Sequence, residues 1–410
     1  MKALVIGAGL AGLSAGVELA ARGVAVEILE AAAQAGGRCR SYPDPVLGQT
    51  IDNGNHLLLS CNRAALSYLE RIGARDRLTG PGEAAFPFLD RQSGARWTIR
   101  ANPGPIPWWL ALPSRRVPGT GIADYLPFAR LLWARRATRI DAVVHTTGPV
   151  YQRLLRPLLV AALNTEPSQA SAGLAGAVLR ESLARGGRFA EPLVAAGGLG
   201  PAFVDPALAF IEARGGAVRL SSRVRALEID AGAVVAAHIG EARRPVDGPV
   251  ILATPPWAAA ELLPGLRRPD RFSAIVNGHF ACAPPAGSPA LVGLIGGAAE
   301  WVFAFPDRVS VTVSAADAMV DIAAEELAGR FWDDITAALG DLGPLPPCRI
   351  VKERRATFAA TPDQERRRPG PRTGIANLFL AGDWTDVGLP ATIEGAIRSG
   401  RAAAELVSRQ

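Results

Sequence analysis

Residues 5–12 read Val-Ile-Gly-Ala-Gly-Leu-Ala-Gly, and residues 24–30 read Val-Ala-Val-Glu-Ile-Leu-Glu. The first stretch predicts an apolar strand, a glycine turn and the start of a helix; the second predicts a return strand that ends on an acid. Gly7 permits the tight turn, Gly9 lets backbone approach a pyrophosphate, and Gly12 lets the helix pack closely on the strand. The unpaired N–H groups and positive dipole end of such a helix favour an anion. Glu30 is placed to accept from a ribose hydroxyl, and its acidity argues against a 2′-phosphate. These residues predict a dinucleotide-binding unit and leave NAD and FAD both open.

The rest of the 410-residue chain bounds the alternatives. Its 49% hydrophobic content supports a large core, divided between two domains. Basic residues exceed acidic ones by 44 to 38, and all the basic residues but Lys2 and Lys352 are arginines. Local arginine clusters at Arg115 and Arg116, Arg135 and Arg136, and Arg366 to Arg368 suit anionic lipid head groups or a plain solvated surface. No basic run interleaved with aromatics points to a nucleic-acid site. Cys39, Cys61, Cys282 and Cys348 are too scattered for a zinc site or a disulfide framework, which fits a reducing, cytoplasmic compartment. Neither a signal peptide nor a transmembrane helix is expected. Nothing in the sequence indicates the oligomeric state.

Two loops follow the first unit: Gly36, Gly37, Arg38 to Ser41, and Asp52 to His56. Paired glycines suit close backbone approach, and Arg38 offers a planar fork for phosphate, although a surface turn has the same composition. Residues 86–194 read as mostly helical and apolar. There Trp108 and Trp109, beside Arg115 and Arg116, suit a peripheral membrane contact or the mouth of an apolar tunnel, and equally an ordinary core. A helix from Pro206 to Arg214 and a strand from Ala217 to Leu220 come next, then a hairpin, Val224–Ile229 with Ala233–Ala237, and a buried strand Val250–Ala253. A strand at Val309–Val313 and a helix over 318–338 lie in the segment beyond. Near the C-terminus the apolar strand Leu378–Leu380 runs through Ala381 into Gly382 and Asp383. A turn through Gly388 to Thr392 then opens a final helix at Ile393, Glu394, Gly395 and Ala396. A carboxylate at a strand end can hold a ribityl hydroxyl, and the helix N-terminus can face a flavin ring or its phosphates. Gly12-Leu13-Ser14-Ala15-Gly16 spells a hydrolase elbow, but Ser14 falls inside the first helix and belongs to the fold.

The glycine turn, the GGRCRS segment at 36–41 and the C-terminal AGDW and TIEGA segments resemble, in order, the FAD-dependent amine oxidase and phytoene desaturase superfamily. DNGNH at 52–56, PLLVAALNTEP at 157–167, QASAGLAGAVLRESL at 169–183 and GDWTDVGLPATIEGAIRSG at 382–400 are most similar to its hydroxysqualene dehydroxylase family, which belongs to bacterial hopanoid and squalene biosynthesis. The resemblance implies an α/β fold, with a Rossmann-like FAD-binding domain of the amine oxidase type and an inserted mixed-sheet and helical substrate domain. The FAD-binding domain is expected from 1–85, 195–255 and 350–410, and the substrate domain from 86–194 and 256–349. The cofactor implied is FAD. Gly7, Gly9, Gly12 and Glu30 would meet its ADP half, and Gly37 and Arg38 its pyrophosphate. Val224 would meet adenine through its backbone, Gly382 and Asp383 the ribityl chain, and Thr392, Ile393 and Ala396 the flavin end. Amine oxidases place a lysine near flavin N5; Lys352 lies in a comparable region without a clear register.

The implied reaction is the reduction of 12-hydroxysqualene, an isoprenoid substrate, to squalene. The sequence shows no second dinucleotide unit, so electrons are expected from an external reductant, and the tryptophan and arginine positions are read as a peripheral contact at the inner face of the cytoplasmic membrane. Expelling hydroxide from an allylic alcohol needs a proton on the leaving oxygen. His56, Asp52 and Glu181 are the candidate donors, His56 first because imidazole exchanges its proton near neutral pH. Against these stand plainer roles: a loop histidine bonded to backbone, an aspartate holding its own turn, and a charge on a helix surface. A carotenoid or phytoene-type desaturase is the rival enzyme, and a flavin-bearing membrane scaffold is the rival without catalysis.

Overall fold

The chain is described as a computed structural model covering residues 2–409. Strand Lys2–Ile6, helix Leu10–Ala21 and strand Ala25–Leu29 form the expected unit, with the two strands parallel and Leu4 opposite Glu27. Ala217–Arg219 joins on one side, and Val250–Leu252 and then Leu378–Leu380 on the other, giving a five-stranded parallel sheet. Strands Val250–Leu252 and Leu378–Leu380 and residues 3–6 are continuous apolar runs because both faces are covered, while Ala25–Leu29 is interrupted by buried Glu27, paired with Lys2, Arg219 and Arg244. The first helix is small and apolar all round for the same reason: sheet lies on one side and the C-terminal helix Ile393–Val407 on the other. A Cβ on Gly400 would stand 2.1 Å from the Ala11 carbonyl oxygen, so these two helices touch backbone to backbone.

A second, seven-stranded sheet runs in the order Cys348–Phe358, Phe272–Phe280, Val309–Val313, Trp301–Ala304, Leu291–Ile295, Ala85–Asp90, Arg96–Arg100. Strand alternation gives it two unlike faces. Val276, Val302 and Val311 face outward onto helix Ala324–Leu339, meeting Phe331 and Ile335. The inner face carries Asn277, His279, Ser310 and Thr312 at one end and Phe88, Trp97, Trp301 and Phe303 at the other.

Several expectations are corrected here. Residues 86–194 are not mostly helical. They begin with two strands of the second sheet and continue as short 3-10 turns through Ala142, where closely spaced prolines deny a regular helix its amide donors. Only Arg156–Leu163 and Ala172–Glu181 are α-helices of length. The hairpin at 224–239 gains a third strand, Ala242–Pro245, and the helix expected from 318 begins at Ala324. The expected return to the nucleotide fold at 350 falls inside strand Cys348–Phe358, which pairs with Phe272–Phe280 in the second sheet. The Trp108–Trp109 pair splits: Trp109 is core, edge-on to Tyr125, while Trp108 is exposed. Arg368 is no surface charge but a buried one.

Candidate functional site

The three N-terminal glycines have three different surroundings. Gly7 has φ +107°, a left-handed conformation that a side chain would strain. A Cβ on Gly12 would lie 1.9 Å from the Gly7 carbonyl oxygen, so only glycine allows the helix this close to its strand. A Cβ on Gly9 would meet nothing within 4 Å and would point into open space. The second glycine loop folds over this turn: the Gly36 N–H donates to the Ala8 carbonyl at 2.8 Å, and a Cβ on Gly37 would lie 3.4 Å from the Gly9 Cα. Glu30 closes the arrangement, its carboxylate accepting from the Ala8 and Ala32 N–H groups at 2.7 and 2.8 Å. The Ser222 N–H donates to the Glu30 carbonyl, which brings Val224 to the same end of the sheet.

From the other terminus, Asp383 pairs with Arg38 at 2.8 Å, and the Gly382 N–H donates to Ser399 Oγ on the C-terminal helix. Thr392 caps that helix by accepting from the Gly395 N–H at 3.0 Å, and Ile393 and Ala396 lie in its first turn. The loop between is fixed by Arg368. This buried guanidinium donates to the Asp383, Thr385 and Leu389 carbonyls and pairs with Glu365 at 2.8 Å. No residue near Arg368 in the chain signals that role. An open cradle of glycine backbone, an acid at the second strand end, and a facing arginine and aspartate fit the two phosphates and polyol chain of FAD. Among the described residues there is no cluster of ligands that could hold a metal ion.

The three candidate proton donors separate. Glu181 accepts from Arg398 with both oxygens, at 2.9 and 2.6 Å, and Arg398 also holds Glu394, which caps the helix Arg63–Arg71 through the Ala64 and Ala65 N–H groups. It is an ion-pair residue and is set aside as the acid. Asp52 Oδ1 accepts from the Ser41 hydroxyl and from the Leu199 N–H. Burial pushes this carboxyl up and those two hydrogen bonds oppose the rise, so Asp52 braces the loop at 198–200. His56 is enclosed on most sides yet partly accessible, and its ring nitrogens have no hydrogen-bond partner among the described residues. Burial, and then the charge of Arg38, lowers it to about 4. Its imidazole is neutral at physiological pH, which overturns its choice as an imidazolium donor.

The loop carrying His56 is seated on the polar end of the second sheet. The Asn55 side-chain amide donates to the Val311 carbonyl and to Thr312 Oγ1, both at 3.1 Å, and Thr312 donates to Asn277. The Thr312 carbonyl accepts from the Glu300 N–H at 3.3 Å, which places Glu300 one strand away from this loop. Glu300 is also enclosed but partly accessible, and its carboxylate accepts from the Ser314 N–H at 2.8 Å. Burial pushes its carboxyl up to about 7, against that hydrogen bond and the charge of Arg156. Sequence reasoning missed Glu300, since no motif surrounds it and its character comes from enclosure. Lys352 donates to the Ile322 carbonyl and shares the outer face with Val276, so it points away from the inner face.

Residues 10–408 match the family described as flavin containing amine oxidoreductase. The chain is 52% identical over 406 residues to a hydroxysqualene dehydroxylase of Rhodopseudomonas palustris, covering 98% of this chain and 97% of that one. It is 45% identical over 405 residues to the hydroxysqualene dehydroxylase of Zymomonas mobilis, covering 98% of each. Among solved structures, cyclohexylamine oxidase from Brevibacterium oxydans shares the fold, with a TM-score of 0.73 over 100% of this chain and 98% of that one, at 15% identity.

Proposed function

The chain belongs to the family of flavin containing amine oxidoreductases and is an FAD-dependent oxidoreductase, and from that premise we propose that it reduces 12-hydroxysqualene to squalene. The observation that carries this reading is the full-length likeness to hydroxysqualene dehydroxylases; the likeness to an amine oxidase is one of fold. The turning of Lys352 away from the inner face also favours it over amine oxidation.

In the proposed reaction the allylic C–O bond breaks with its electron pair going to oxygen, which takes a proton and leaves as water, while the carbon gains a hydride. Bound FAD, reduced by an external donor, supplies that hydride. The protein's own groups do the rest. Gly9 and Gly37, set by the Gly7 turn and the Gly12 helix crossing, would admit the phosphates, Glu30 would take a ribose hydroxyl, and the Val224 backbone would meet adenine. Arg38 would hold the pyrophosphate, and its partner Asp383, beside Gly382, would hold the ribityl hydroxyls. Thr392, Ile393 and Ala396 present the helix N-terminus to the flavin end. Glu300 is the residue we assign to supply the proton for the leaving oxygen: enclosure raises its carboxyl to about 7, so about half of it is protonated at neutral pH, where His56 is not. Neutral His56 remains a hydrogen-bonding wall of the site.

The test is anaerobic incubation of the purified, dithionite-reduced yellow protein with 12-hydroxysqualene, followed by gas chromatography. Squalene is the expected product. Unchanged substrate, or a more unsaturated hydrocarbon formed only by the oxidised protein, overturns the reading, and the second result favours a desaturase.

A further inference from the structure

Among the described residues ten large apolar side chains are strongly exposed, and six of them fall between residues 106 and 133: Ile106, Trp108, Leu112, Ile122, Leu126 and Trp133. We propose that this segment is a monotopic contact that seats the protein on an anionic lipid bilayer.

The segment is a row of short 3-10 turns held down by every side chain that points inward. Trp109 meets Tyr125 edge-on with ring centroids 5.8 Å apart, the Tyr125 hydroxyl accepts from the Val117 N–H at 2.9 Å, and Leu131 is wholly buried. The turns are therefore fixed, and the outward residues have no place in a core. Ile106 and Trp133 are exposed by 76 and 77%, Leu126 by 63%. Apolar groups this concentrated on a fixed surface mark a contact site. Charge selects the occupant. Residues 101–140 hold six arginines and a single acid, Asp124; Arg136 and Arg139 pair with Glu365, Asp386 and Asp141, which leaves Arg115, Arg116, Arg130 and Arg135 without an ion-pair partner among the described residues. Arg115 lies over the Trp108 ring at 5.1 Å, which keeps a cation beside an indole at the level where lipid head groups meet acyl chains. No helix among the described residues is long and apolar enough to cross a membrane, so contact is by insertion of turns from one side. This surface is inferred from exposure and charge alone and stands apart from the identity of the substrate.

The test is co-sedimentation of the flavin-loaded protein with vesicles of phosphatidylcholine alone or of equal parts phosphatidylcholine and phosphatidylglycerol. Binding is expected to the mixed vesicles, to weaken with added salt, and to fall by about ten- to a hundredfold in a Leu126→Ser, Trp133→Ser double variant that keeps its flavin absorbance. Exchanging Arg130 and Arg135 for glutamine should weaken binding to the mixed vesicles and leave the phosphatidylcholine arm unchanged. Absence of binding, or binding that the double variant retains in full, overturns the proposal. So does a concentration-dependent dimer, abolished by the double variant, in a protein that ignores both vesicles; that outcome assigns the patch to a second copy.

Discussion

Exchanging Glu300 for glutamine separates its cost in the fold from its use in chemistry. Its carboxyl is raised from 4.5 to about 7, so above neutral pH the folded protein carries an enclosed carboxylate that ionises more readily in the unfolded chain. For a carboxyl the sign is definite: stability is fully present below about 4.5 and is lost as pH rises through about 7. The full shift corresponds to about 3 kcal/mol, and the partial accessibility of the group brings the observable nearer to about 1–2 kcal/mol. Glutamine keeps the acceptor for the Ser314 N–H and removes the ionisation. The variant should therefore match the parent near pH 5 and exceed it by about 1–2 kcal/mol at pH 8, read by urea denaturation of the flavin-loaded protein across that range. His56 and His279, each lowered to about 4, contribute the opposite slope, stability lost as pH falls below about 6.5, but they are common to both proteins and cancel in the difference. Dehydroxylation should fall by about 10²- to 10⁴-fold in the same variant, and the parent's rate should decline as pH rises past about 7. Parallel stability profiles would refute the raised carboxyl, and undiminished turnover would refute its role as donor.

Three further outcomes follow from the geometry. Gly9→Val should give a soluble, folded but colourless protein, whereas Gly12→Ala should fail to fold because its Cβ would lie 1.9 Å from the Gly7 carbonyl oxygen; circular dichroism and flavin absorbance distinguish them, and normal squalene yield from colourless Gly9→Val would favour the scaffold. Glu181→Gln should cost about 1 kcal/mol in thermal or urea stability through its ion pair with Arg398 and leave turnover within a few-fold, while a loss of a hundredfold or more would restore it as the acid. Arg368→Met should cost about 3–5 kcal/mol and release flavin, because it strips the buried donor from the Asp383, Thr385 and Leu389 carbonyls; a stable yellow variant would contradict that bracing role.

The nucleotide half of the molecule was legible because the role of each glycine is local: a turn, an open approach, a close helix crossing. Glu181 misled because the partner that occupies it, Arg398, lies 217 residues away in the sequence. The neutral charge of His56 is not legible in its sequence neighbours, since enclosure and the cation of Arg38 act only after folding. Strand Cys348–Phe358 went unread because it carries charge on both faces. Arg349 meets Asp44, and Glu353 accepts from Asn53, on the inner side, while Lys352 reaches the Ile322 carbonyl on the outer side, so no apolar alternation survives. Neighbouring tryptophans look equivalent in a sequence, yet adjacent positions on a tight turn face opposite ways, as Trp108 and Trp109 do.

The contact between the Leu10–Ala21 helix and the Ile393–Val407 helix sets the timing of assembly. The ribosome completes the first helix long before its covering surface, whose Ile397 lies 383 residues beyond Ser14, and the edge strand Leu378–Leu380 emerges just before that surface. Until then the nascent chain holds an apolar helix with one flank bare and a parallel sheet short of a strand, a state of high contact order prone to association. Asp383 and the carbonyls that receive Arg368 arrive at the same late moment. Cofactor capture therefore waits for the segment from Leu378 to Val407, and a ribosome that stalls before Leu378 leaves a product that chaperones and proteases meet without flavin.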